Sequence, residues 1–267
     1  MPRRARIYLP ELPYHIIQRG NNREACFIEP ENYQFYLELW KEISKRYGVW
    51  VHSYCLMTNH IHFLVTPTTD TSISNTIKVV GSRYAQYINK KYGRTGTLWE
   101  GRHRSSLVQS EKYFLVCCRY IELNPVRSGM VGVSEEYQWS SYTSIAWGDD
   151  SWITRHAEYE RLGETRGKQC HSYRELLKGH IEVRDRHLIR QASSRTTYNR
   201  AIALDIVEAS SFKEGNPVKV YEGRTKSKGS CSVIVEVFDE MLAAMFTGFP
   251  GENGRNRKQS VVSEANC

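Results

Sequence analysis

The chain has 267 residues, 40% of them hydrophobic, which is more than one typical domain needs and enough for a packed core. Its 37 lysines and arginines outnumber 29 aspartates and glutamates, and the formal net charge of +8 favours polyanionic partners, nucleic acid first among them. Seven cysteines, odd in number and without a Cys-x-x-Cys pair, argue against a disulfide framework or a zinc ribbon and fit a reduced, cytoplasmic setting.

At the start, Arg3, Arg4 and Arg6 are not followed by an apolar run long enough for a signal peptide. No stretch approaches the length of a membrane span, so no membrane partner is expected. Tyr14 to Gln18 alternates as a strand and runs into Arg19-Gly20-Asn21-Asn22-Arg23, a basic turn whose glycine and asparagines tolerate unusual backbone angles. The spacing of Tyr36, Leu39, Trp40, Ile43 and Tyr47 predicts a helix from Pro30 to Tyr47, with Pro30 at its first position and Gly48 after its end. Val49 to Met57 and His60 to Thr66 read as two strands joined by Thr58-Asn59 and closed by Pro67. Ile73, Ile77, Val80, Tyr84 and Tyr87 mark a second helix from Ser72 to Tyr92, whose other faces carry Lys78, Arg83, Lys90 and Lys91 without interleaved acids. Thr97 to Arg104 reads as a turn and short strand, with Arg102 and Arg104 near a bulge and Trp99 suited to core packing or base stacking. A third helix follows from about Glu111 to Leu123. This order of elements is the βαββαβ arrangement of a ferredoxin-like antiparallel sheet, an α+β fold with helices packed on one face and a further helix after the sheet.

Strand side chains alternate between faces, so His60 and His62 point the same way while Ile61 and Phe63 point the other. Two neutral imidazoles on one face could hold a divalent metal, or could be a hydrogen-bonded pair on a half-buried surface. On the third helix, Tyr120 and Asn124 are four residues apart and lie one above the other. Pro125 pushes the residue before it away from helical angles, so Asn124 is expected as the last helical residue or just past it.

Five segments, in this order, resemble the REP-associated tyrosine transposases within the HUH single-strand nucleases. They are Gln18 to Arg23, Tyr54 to His62, Leu98 to Arg102, Arg119 to Arg127, and Trp139 to Tyr142, covering roughly the first 145 residues. The resemblance implies that His60 and His62 are the histidine pair, Tyr120 the single nucleophile, and Asn124 the third ligand of a divalent ion, Mg²⁺ or Mn²⁺. It implies a single-stranded DNA endonuclease and strand transferase acting on hairpin-bearing DNA through a 5′-phosphotyrosine. A phenol is mostly protonated at neutral pH and needs a metal or a base, for which His15 and Lys112 are the residues considered. Arg19, Asn21, Arg23, Arg83, Arg102, Arg104 and Arg127 are the expected DNA contacts, and the protein is expected as a monomer or homodimer. Two other functions fit some of the same residues: a DNA-binding regulator without catalysis, and a metal phosphoesterase with water as nucleophile. Residues 1–148 are expected to form the catalytic domain, and 250–267 a disordered tail. Residues 149–249 are expected to form a mostly helical accessory region, either a small nucleic-acid-binding domain or an accessory packing extension, with helical patterns at Tyr173 to Arg190, Thr197 to Ser210 and Val233 to Phe246 and a loop at Gly163 to Lys168.

Overall fold

The structure, a computed structural model, describes Arg6, residues 8–108, 111–149 and 152–178, and Ile189. Four strands, β1 (Tyr14–Arg19), β2 (Val49–Met57), β3 (His60–Pro67) and β4 (Arg104–Leu107), lie in the order β2-β3-β1-β4. Every neighbouring pair is antiparallel. Helices α1 (Pro30–Tyr47) and α2 (Ser72–Lys91) make the crossovers, so the fold is the expected ferredoxin-like βαββαβ sheet.

The helix ends are set locally. Pro30 occupies the first turn of α1, where its missing N–H costs nothing, and the Asn32 side-chain oxygen accepts the backbone N–H groups of Ile28 and Glu29 at 3.0 Å each. Gly48 ends the helix with φ +65°, and a Cβ there would lie 2.1 Å from Thr68 Oγ1, so both the angle and the space require glycine. Between the helices and the sheet sits the apolar core. Trp40 stacks on Phe63 with ring centroids 3.9 Å apart, joined by Ile16, Ile43, Val65 and Tyr84.

Strand β2 departs from simple alternation. Val51 pairs with Val65 and Ser53 with Leu64, leaving His52 as the extra residue of a β-bulge. Both His52 ring nitrogens are hydrogen-bonded, Nδ1 to the Thr154 carbonyl at 2.7 Å and Nε2 to Thr66 Oγ1 at 2.8 Å.

Strand β4 corrects the expected position of the last strand. Thr97 to His103 forms a connection that touches β1 through an isolated Gly20–Trp99 bridge, and the strand begins only at Arg104, opposite Ile17. Ser105 and Ser106 carry little strand propensity; their pairing is dictated by β1. Trp99 packs against the core: its indole N–H donates to the Gly81 carbonyl at 3.1 Å, beside Tyr36 and Tyr84.

Helix α3 (Glu111–Glu122) crosses the other face of the sheet and is followed by the short helices α4 (Asn124–Arg127), α5 (Tyr142–Trp147) and α6 (Ala157–Glu160) and by α7 (Arg166–Lys178). Helix α7 starts seven residues before the expected Tyr173 and takes in Arg166 to Lys168, expected as part of a loop. Residues 152–178 pack on β2 and α3: the Thr154 N–H donates to the Val51 carbonyl at 2.7 Å, Trp152 stacks on Tyr54, and His156 on Phe114 at 3.9 Å. At their centre is Glu122, fully buried, whose carboxylate accepts from Ser53 at 3.2 Å, Ser141 at 2.6 Å and Tyr173 at 2.8 Å. Cys26, Cys55, Cys117, Cys118 and Cys170 are buried free thiols. Among the described residues no helix is long and apolar enough to cross a membrane. The patterns at 197–210 and 233–246 and the tail at 250–267 fall outside the described residues.

Candidate active site between the sheet and helix α3

Pairing fixes which histidines meet. His60 and His62 alternate along β3 onto the α3 face, with ring centroids 5.0 Å apart, and β1 brings His15 onto that face beside His62. Each ligand candidate is held at its inner nitrogen. His60 Nδ1 lies 2.7 Å from the side-chain oxygen of Asn59, and His62 Nδ1 lies 2.9 Å from His15 Nε2. The two Nε2 atoms have no hydrogen-bond partner among the described residues. Burial, then Arg19, lowers the His60 pKa to about 4, and burial together with His60, His15 and two arginines pushes that of His62 well below the usual value. Both rings are therefore neutral at pH 7 and able to offer a lone pair to a metal.

Tyr120 reaches this spot from α3. Its ring lies edge-on to His62 and to His15, with centroids 5.9 Å from each. Helix α3 ends at Glu122, and Asn124 opens α4, so Asn124 is just past the helix, as expected from Pro125. The one-turn spacing to Tyr120 survives because the Leu123 N–H still bonds Arg119 O at 3.0 Å and the Arg127 N–H bonds Leu123 O. Pro125 has no N–H for the Ile121 carbonyl. The Asn124 amide substitutes for it, donating to Ile121 O at 3.2 Å and Tyr120 O at 3.1 Å. The Asn124 oxygen accepts from Arg127 at 2.5 Å, and the Arg127 guanidinium lies 4.2 Å from the centre of the Tyr120 ring.

These side chains line one cleft of about 900 Å³. His60, His62, Tyr120, Asn124, Arg19, Arg102, Arg104 and Arg127 from the expected set all contribute to its walls. Arg6, Glu100, Gly101 and Ser128 also line it. Five arginines against one glutamate make the lining suited to a phosphate backbone. Three expected contacts lie elsewhere. Asn21 lines a neighbouring groove with Gln18, Lys78 and Trp99; Arg23 is exposed at the turn, its carbonyl accepting from Asn59; and Arg83 is exposed on α2, 3.4 Å from Glu42. The side chain of Lys112 falls outside the described residues. Sequence reasoning missed Arg6, although the basic start of the chain signalled it, and missed the buried Glu122, which nothing in its local pattern distinguishes from an exposed helix acid.

Among the described residues no three His, Cys, Asp or Glu side chains come together as an ion-binding set. A divalent metal here would therefore use both Nε2 atoms and the Asn124 amide oxygen, which has a second lone pair beyond the one Arg127 uses. Two imidazole nitrogens and one amide oxygen are all neutral donors, a set that would leave the charge of a divalent ion available to phosphate oxygens.

A sequence model of the family described as "Transposase IS200 like" matches residues 8–124. No curated protein matches the chain. Among solved structures, the chain is similar to the REP-associated tyrosine transposase bound to a REP hairpin, with 16% identity over 58% of this chain and 92% of that one and a TM-score of 0.47. It is also similar to a Deinococcus radiodurans R1 protein assigned as a transposase, with 18% identity over 42% of this chain and 89% of that one and a TM-score of 0.33.

Proposed function

We propose that the chain, whose residues 8–124 match the family model described as "Transposase IS200 like", is a transposase-like DNA nuclease that cuts and rejoins single-stranded DNA with Tyr120 as nucleophile. The observation that carries this reading is the convergence of two unprotected Nε2 atoms, one tyrosine ring and several arginines in a single cleft.

The proposed reaction begins with the scissile phosphate held by Arg19, Arg102, Arg104 and Arg127. The Tyr120 hydroxyl oxygen attacks phosphorus, its proton passing to solvent. The bond from phosphorus to the 3′-oxygen breaks, and that oxygen leaves as a 3′-hydroxyl after taking up a proton. The 5′-phosphate is then esterified to Tyr120. Because the energy of the phosphodiester is kept in this link, a 3′-hydroxyl can attack it in turn and rejoin strands. A divalent ion on His60, His62 and Asn124 would supply Lewis-acid neutralisation of the phosphate charge. Two imidazole nitrogens are softer than the all-oxygen shell magnesium prefers, so Mn²⁺ should be held more tightly than Mg²⁺. Arg127, stacked on the Tyr120 ring, holds the plane of that ring over the histidines.

The substrate proposed is hairpin-bearing single-stranded DNA, and the setting is cytoplasmic, as a monomer or homodimer. Incubating the full chain with labelled hairpin DNA and Mn²⁺ tests the proposal. A denaturation-resistant protein–DNA adduct is expected, absent from Tyr120→Phe and from reactions with chelator. Cleavage without adduct would instead make the protein a hydrolytic phosphoesterase, and tight binding without cleavage a regulator.

A further inference from the structure

We propose that His15 is a positioning residue for the candidate metal site: its Nε2 accepts the Nδ1–H of His62 and so keeps the lone pair of His62 Nε2 turned toward the cleft. The inference rests on reading His60 and His62 as metal ligands, and it adds a residue from a different strand to the site.

A neutral imidazole carries one N–H and one lone pair, and only the lone pair can bind a metal. If the His62 proton sat on Nε2, it would point into the cleft and close the site. What the inner nitrogen meets decides between the two forms. For His60 the neighbour is the side-chain oxygen of Asn59 at 2.7 Å, an acceptor, which draws the proton to Nδ1. For His62 the neighbour is His15 Nε2 at 2.9 Å, from a ring nearly parallel to its own, with an interplanar angle of 16°.

His15 is 2% exposed, and one hydrogen bond joins the two ring nitrogens, so one ring must give the proton while the other gives the lone pair. In the proposed arrangement His15 carries its own proton on Nδ1. The residue opposite it across the strands, Ser106, has a buried hydroxyl that no hydrogen bond among the described residues uses. The register explains why a long ring is needed. Ile17 stands directly opposite His62, and His15 sits two positions along the same face, so only a side chain with reach spans the diagonal. A neutral imidazole also orients His62 without placing a carboxylate charge behind a site meant for phosphate.

The test uses the full chain, ¹⁵N-labelled and metal-free, with long-range ¹H–¹⁵N NMR reading which His62 nitrogen carries the proton. Protonated Nδ1 and bare Nε2 are expected in the wild type and in His15→Gln, whose amide oxygen can accept the same proton, but not in His15→Leu. Mn²⁺ affinity, read from the electron paramagnetic resonance signal of the free ion, should fall roughly ten- to a hundredfold in His15→Leu and stay within about threefold in His15→Gln. A wild-type His62 protonated on Nε2 would overturn the assignment without needing any variant. Equal loss of affinity in both variants, or none in His15→Leu, would also overturn it. A wild type that binds no Mn²⁺ would sink the metal reading instead, while the NMR result would still decide the place of His15.

Discussion

Phe63 and His62 are neighbours in β3, yet Phe63 lies under Trp40 in the apolar core while His62 faces Tyr120 across the cleft. The same split runs through β1, where Ile16 is in the core and His15 supports the histidine pair. One face of the sheet thus meets two amphipathic helices and is mostly apolar, with Gln18 and Ser105 as its polar members. The other is divided between an open basic cleft at the His60 end and the buried polar junction of Glu122, Ser53, Ser141 and Tyr173 farther along α3. The difference teaches that the rigid support and the chemistry are made from alternate residues of the same strands. The apolar face holds the strands in register, and the register decides which polar groups meet.

Substituting adjacent residues separates the two faces most sharply. His62→Ala should reduce DNA cleavage by at least about a hundredfold, because phosphate neutralisation of several kcal/mol is lost, with a smaller cost to the fold of about 1–3 kcal/mol from the unpaired His15. Phe63→Ala should do the reverse. It should destabilise the fold by about 3–5 kcal/mol in chemical denaturation, with cleavage per folded molecule retained. Equal effects of the two on activity and stability would break the comparison.

Glu122 provides a third test, on the covered part of the polar face. Burial raises its pKa from an ordinary value near 4.5 to about 7, against the lowering effect of its three hydroxyl partners. Between those values the folded state keeps a proton that the unfolded chain has released, so this group's contribution makes stability fall as pH rises, by on the order of 3 kcal/mol in all. Glu122→Gln should remove that slope, so denaturation curves at pH 5 and pH 8 should show the variant gaining on the wild type as pH rises. The smallest effect is expected at Arg83, outside both regions. Its exposed pair with Glu42 contributes little, and Arg83→Ala should change stability by less than about 0.5 kcal/mol and cleavage by less than about twofold.

The core helices and the first three strands were legible because their signals are local: Pro30 and Gly48 bracket α1, and alternation sets His60 apart from Ile61. Tyr120 and Asn124 were legible for the same reason, since one helical turn fixes their separation. The last strand was misplaced because Ser105 and Ser106 pair with β1 without any β-branched or aromatic signal of their own. The partnership of His15 with His62 depends on a cross-strand diagonal, which no reading of either strand by itself contains. Arg83 read as an unpaired cation because its acid, Glu42, is on the neighbouring helix. Glu122 looked like any helix acid until the residues 152–178 were seen to cover it.

The bulge at His52 bears on how the chain tolerates changes in length. Val49 and Val51 before it, and Tyr54 and Leu56 after it, all belong to the core, which strict two-residue alternation across nine residues would forbid. The bulge absorbs the extra residue, so the two halves keep the same facing although the count between Val51 and Tyr54 is odd. Deleting His52 would leave Val49, Val51, Tyr54 and Leu56 at strict two-residue spacing, so both halves of β2 would keep these side chains on the core face. Loss of His52 should therefore cost only the bulge and its hydrogen bonds to Thr154 and Thr66, whereas loss of one residue elsewhere in β2 would reverse the facing of part of the strand.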